Sequence, residues 1–64
     1  MGKNTEWPNG FREGNSVVHL TVMREAHVIA APEEVVPIGK VPIMYDDEGG
    51  CYVNVPPDEL QRPF

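Results

Sequence analysis

The chain has little of what usually marks a function. Its 64 residues include one cysteine, two histidines and five basic side chains. No apolar run approaches the roughly 20 residues of a membrane span. Because Cys51 stands alone, no disulfide forms within the chain, and a secreted disulfide scaffold is argued against. The lone thiol points to a reducing compartment, so the expected location is cytoplasmic; a bridge to a second copy is the one disulfide left open. Five bases against ten acids give a formal charge of −5. That balance argues against direct nucleic-acid binding, whose affinity comes largely from Lys and Arg, and against docking on an anionic membrane. Residues 1–20 lack an apolar run of signal-peptide length. Glu6 occupies the position where a myristoylation signal beginning Met1-Gly2 needs Ser or Thr.

The common chemical motifs are missing as well. His19, His27 and Cys51 are scattered, with none of the close pair spacings of a zinc site. The run Asp46-Asp47-Glu48-Gly49-Gly50 lacks the alternating ligands and closing glutamate of a calcium loop. Its glycines feed a strand rather than a helix N-terminus, so they do not form a phosphate loop. No metal, cofactor or catalytic residue is expected.

What the sequence does have is β patterning. A chain this short buries only about 60% of its unfolded surface, so one small domain with a marginal core is expected. Residues 1–15 are polar and punctuated by Pro8-Asn9-Gly10 and Gly14-Asn15. They read as a turn-rich N-terminal arm, with residues 16–62 as a single small β domain. Trp7 and Phe11 lie in the arm and pack either on the domain's own core, as a lid, or on a partner.

From Ser16 the chain reads as a strand to Met23. Val18, Leu20 and Val22 fall on one face; Val17, His19, Thr21 and Met23 fall on the other. A second apolar run, residues 26–31, follows the polar break Arg24-Glu25. A tight turn at that break sets Val22 against His27, Leu20 against Ile29 and Val18 against Ala31, but neither turn residue favours positive φ. One long bent strand over residues 17–31 is the equal alternative. Prolines at 32, 37 and 42 exclude a long helix between Ala31 and Met44. Pro32 is placed to start one helical turn at Glu33-Glu34.

The clearest element is a hairpin of residues 40–45 and 51–55 around a five-residue acidic loop. That loop length sets Tyr45 opposite Cys51, Ile43 opposite Val53 and Val41 opposite Val55, all on one buried face. Met44 with Tyr52 and Pro42 with Asn54 take the other face. A slip of one residue puts Asn54 or Pro42 in the core. Pro42 has no N–H, so a free edge or a bulge is expected there. Pro56-Pro57 ends the ladder, and Asp58-Glu59-Leu60 suits a helical turn that returns Leu60 to the core.

Gly39-Lys40-Val41, the acidic turn and then Tyr52-Val53-Asn54-Val55-Pro56-Pro57-Asp58-Glu59-Leu60 resemble the end of an SH3-like β-barrel. There a hairpin runs into a short helical turn carrying a buried apolar residue. The resemblance covers residues 39–62 and implies a fold rather than an activity. The trimethoprim-resistant plasmid dihydrofolate reductases share this ending, but their Val-Gln-Ile-Tyr strand is replaced here by Tyr52-Val53-Asn54-Val55, which removes the reason to expect that activity. The fold class expected is mainly all-β: a small SH3-like barrel or curled antiparallel sheet with a C-terminal hairpin and a short helical turn.

The function expected is that of a small acidic protein-binding module, an inhibitor or modulator of a larger protein. Candidate partner-binding residues are Trp7, Phe11, Met44, Tyr52, Asp46, Asp47 and Glu48, because aromatic anchors concentrate interface energy and an acidic surface suits a basic partner. Phe64 is a further terminal aromatic of this kind. Glu33, Glu34, Asp58 and Glu59 join the acidic turn in a carboxylate set that imitates phosphates or simply keeps the protein soluble. The alternatives are a structural homo-oligomer joined through free strand edges and, behind it, a small enzyme with its site at an oligomer axis.

Overall fold

A computed structural model describes residues 2–63. Five antiparallel strands make one sheet curled into a half-barrel, with short 3-10 turns and no α-helix among the described residues. They are β1 (Ser16–His19), β2 (Arg24–Val28), β3 (Val41–Tyr45), β4 (Val53–Val55) and β5 (Leu60–Gln61). The order across the sheet is β4-β3-β2-β1-β5, so the chain runs strand to neighbouring strand and then crosses back to lay β5 on β1. The expected all-β class and its ending are both present. A 3-10 turn at Pro57–Glu59 follows the hairpin, and Leu60 is buried behind it. Pro32 likewise precedes a 3-10 turn at Glu33–Val35.

Residues 16–28 form a hairpin rather than one bent strand. Its register is Val17 opposite Ala26 and His19 opposite Arg24. The turn falls at residues 20–23, with Met23 at φ 54°, and Arg24-Glu25 belongs to β2 instead of making the turn. Pairing with β5 explains this choice. The Leu20 N–H donates to the Glu59 carbonyl at 2.8 Å and the Val22 N–H to the His19 carbonyl at 3.3 Å, so the chain has left β2 by residue 20. The buried face of β1 carries Val17 and His19. Leu20, Val22 and Met23 stay exposed, against their hydrophobic pattern.

The β3–β4 register is the expected one: Val41 opposite Val55, Pro42 opposite Asn54 and Ile43 opposite Val53. It stops two residues short of the expected start. β4 begins at Val53, so Tyr45 does not pair with Cys51, nor Met44 with Tyr52. Cys51 and Val53 are exposed rather than buried. The cause lies beyond Tyr45: the Asp46 N–H donates to the Glu25 carbonyl at 3.0 Å and the Glu48 N–H to the Tyr45 carbonyl at 3.2 Å. The chain there bonds to β2 and to itself instead of to the returning strand.

Pro42 creates neither an edge nor a bulge, because β3 is an interior strand. Its carbonyl accepts the Ile29 N–H at 3.1 Å, just past the last β2–β3 pair, Val28 with Ile43. An antiparallel pair would return a bond from residue 42 to the Ile29 carbonyl, which proline has no N–H to make. The Trp7 indole N–H makes it instead, at 3.0 Å. This bond ties the arm to the sheet, together with reciprocal bonds between Asn4 and Ala31 and a bond from the Gly14 N–H to Val28. Trp7 and Phe11 are 9% and 3% exposed and join Val17, Ala26, Val28, Val41, Ile43, Val55 and Leu60 in the core. Neither is therefore available as a surface anchor: burying them is what gives so small a sheet enough apolar contact. Phe64 lies outside the described residues.

Candidate functional site

Five of the candidate partner residues meet at the far end of the β3–β4 hairpin. Met44 is half-buried and lies opposite His27 on β2. Asp46, Asp47 and Glu48 follow it on the exposed turn, and Tyr52 leads into β4 with 41% of its surface exposed. Two bases of β2 reach across to the turn. His27 Nδ1 is hydrogen-bonded to Asp46, and Arg24 donates to Asp47 while lying 4.0 Å from Glu48. The bond from Arg24 holds the Asp47 carboxyl below its ordinary range. The turn is thus a fixed, partly compensated structure rather than a free carboxylate cluster. Beside it, Cys51, Tyr52 and Val53 are exposed.

A second network was invisible in the linear sequence. His19 is 6% exposed, and both of its ring nitrogens are engaged. Nδ1 lies 2.8 Å from the Tyr45 hydroxyl and Nε2 lies 2.9 Å from Glu59 Oε1. Thr21 Oγ1 also donates to Glu59, at 3.1 Å. The Tyr45 ring stacks on His19 with centroids 6.0 Å apart, and the Arg24 guanidinium sits 4.0 Å above that ring. A buried imidazole is tolerated because it is satisfied on both sides. The network clamps β1, β3 and the 57–59 turn together, which assigns it a structural task.

Hydrogen bonds from His19 and then Thr21 hold the Glu59 carboxyl below its ordinary 4.5. A folded-state value below the unfolded one means that ionised Glu59 stabilises the fold above about pH 4.5, a contribution lost as pH falls through the lowered value. Thermal melts from about pH 6 to 3 check this. The unmodified protein should lose melting temperature more steeply on acidification than Glu59→Gln, and the two curves should converge at the acid end.

The third arrangement joins Ser16, His27 and Asp46. The β1–β2 register sets Ser16 opposite His27, and β2–β3 pairing brings Asp46 alongside. Ser16 Oγ lies 3.3 Å from His27 Nε2, while Nδ1 of the same ring is hydrogen-bonded to Asp46. A hydroxyl, an imidazole and a carboxylate in that order can polarise the hydroxyl. Linear spacing gives no sign of it, because strand pairing alone brings the three together. Among the described residues, no group of three or more His, Cys, Asp or Glu side chains is placed to hold a metal ion, and no helix is long and apolar enough to cross a membrane. No protein-family model, no curated protein and no solved structure matches this chain.

Proposed function

We propose that the protein is a small acidic interaction module that binds another protein through the end of its β3–β4 hairpin. The observation that supports this reading is β4 itself. It is an edge strand with no strand paired to its outer side among the described residues, and the exposed Tyr52 and Val53 lie next to an acidic turn. An open edge offers backbone groups to an extended partner segment. The turn favours a partner carrying basic residues. A modulator of a larger, basic protein in the cytoplasm is the role this fits.

Affinity capture from the native cell tests it, with the intact chain and a Tyr52→Ala/Val53→Glu variant as parallel baits. A protein held by the first bait and lost from the second supports the reading; identical captures from both contradict it. The same free edge also favours a second reading, a homo-oligomer formed by β4 pairing with β4. Sedimentation at high concentration separates them: a strict monomer removes the oligomer, and with it any site at an oligomer axis.

A further inference from the structure

We propose that Ser16 is a nucleophile, activated by His27 and Asp46, that attacks activated carboxylic esters. This inference is independent of the partner-binding reading. The first observation is the geometry: Ser16 Oγ is 3.3 Å from His27 Nε2, and Nδ1 is hydrogen-bonded to Asp46 Oδ1. With the ring proton on Nδ1 and donated to Asp46, Nε2 is the acceptor for the Ser16 hydroxyl. This is the order of nucleophile, base and orienting carboxylate that base-assisted acyl transfer uses. The second observation is its support. Ser16 and His27 are cross-strand partners in β1–β2, and Asp46 is anchored by its N–H to the Glu25 carbonyl at 3.0 Å. Rigid strands therefore hold the hydroxyl and the base in register.

The third observation is access. Ser16 is exposed and opens onto a groove that it shares with Gly14, Asn15, Arg62 and Pro63. Arg62 is steadied there by its stack on Phe11, 4.5 Å away, and by its bond to the Asn9 carbonyl at 3.4 Å. His27 itself lines a separate groove with Ile29 and Met44, whose apolar side chains suit a short acyl or aryl group.

The step balances without a further reactant. The Ser16 oxygen bonds to the ester carbonyl carbon as its proton passes to His27 Nε2. The carbonyl π pair moves onto oxygen, then returns and breaks the bond to the leaving oxygen, which takes the proton from Nε2. Water repeats the sequence on the acyl-serine, giving a carboxylic acid and restoring the Ser16 hydroxyl.

The test uses the full chain carrying Cys51→Ser, which removes the exposed thiol as a competing nucleophile. p-Nitrophenyl acetate is added, p-nitrophenolate release is followed, and the acetyl group is located by mass spectrometry after acid quenching. The expected result is acetylation of Ser16, with release falling about 100-fold on adding Ser16→Ala or Asp46→Asn. Phenylmethanesulfonyl fluoride reads the same nucleophile with no substitution at position 16, and the label is expected on Ser16. Unchanged release in Ser16→Ala, or acetyl and sulfonyl groups confined to lysines, the N-terminus or His27, overturns the proposal and leaves the three side chains as a surface hydrogen-bond chain.

Discussion

Trp7→Ala should leave the chain largely unfolded at room temperature. Removing a buried Trp side chain costs about 3–5 kcal/mol, and a single core of this size supplies roughly 3–5 kcal/mol in total. The milder Trp7→Phe separates the ring from its hydrogen bond. It keeps most of the buried area but strands the Ile29 carbonyl that the indole N–H serves at 3.0 Å, a loss of about 1–3 kcal/mol. Pro42→Val should then repair the damage, because a residue with a backbone N–H at position 42 faces that same carbonyl. In a double-mutant cycle the pair should be less destabilised than the sum of the single changes, by about 1 kcal/mol. Urea unfolding followed by circular dichroism measures it. Strict additivity would mean that Trp7 holds the arm by its bulk alone.

His19→Ala is the second large effect. It opens a void beneath β1 and removes the partner of both the Tyr45 hydroxyl and Glu59. The expected loss is about 3 kcal/mol, a fall in melting temperature of roughly 12–24 °C at 4–8 °C per kcal/mol for a domain of this size. His19→Leu fills the void yet should recover only part of that loss, because the Tyr45 hydroxyl is still stranded. Adding Tyr45→Phe removes the stranded group, so His19→Leu/Tyr45→Phe should be more stable than His19→Leu alone. If His19→Leu alone matches the unmodified protein, the imidazole acts only as a spacer and the network contributes nothing.

These two clusters show what was legible in the sequence and what was not. The alternation of Val41, Ile43, Val53 and Val55 predicts both the β3–β4 hairpin and its register, because period-2 burial and loop length constrain the same pairing. The prolines at 56 and 57 and the apolar Leu60 predict the helical turn and the return of Leu60 to the core for an equally local reason, but not the short strand β5 that follows. Buried partners far apart in the chain were not legible. His19 reads as a polar residue on a strand until Tyr45 and Glu59, 26 and 40 residues away, are known to satisfy it. Leu20 and Val22 read as one apolar strand face with Val18, and the pairing of β5 with the β1 edge leaves both exposed. Trp7 reads as a lid on the core or as an anchor for a partner, with the lid favoured because large aromatics dominate small cores. Its role follows from Pro42, which needs a donor from outside the ladder.

The surface expected from the sequence is narrower in the folded chain. Burial takes Trp7 and Phe11 out of it, leaving Met44, Tyr52 and the acidic turn, with Cys51 and Val53 exposed beside them. His27 and Arg24 hold the turn in one shape, so binding of the kind proposed costs less ordering there. The carboxylates that remain for an incoming basic segment are fewer than the composition implies, since Asp46, Asp47 and Glu59 already have partners within the chain.

The most direct measurement is amide hydrogen exchange of the chain alone and in the presence of the protein that the intact bait captures. In the free chain the Tyr52 and Asn54 amides should exchange fast. The Pro42 backbone faces β2 through its bond to Ile29, and strand alternation turns the Asn54 peptide group outward from β4. On binding, protection should appear at residues 51–54 while β1 and β5 stay unchanged. Slow exchange at Tyr52 and Asn54 in the free chain, or protection gained at β5 with none at β4, would contradict the account.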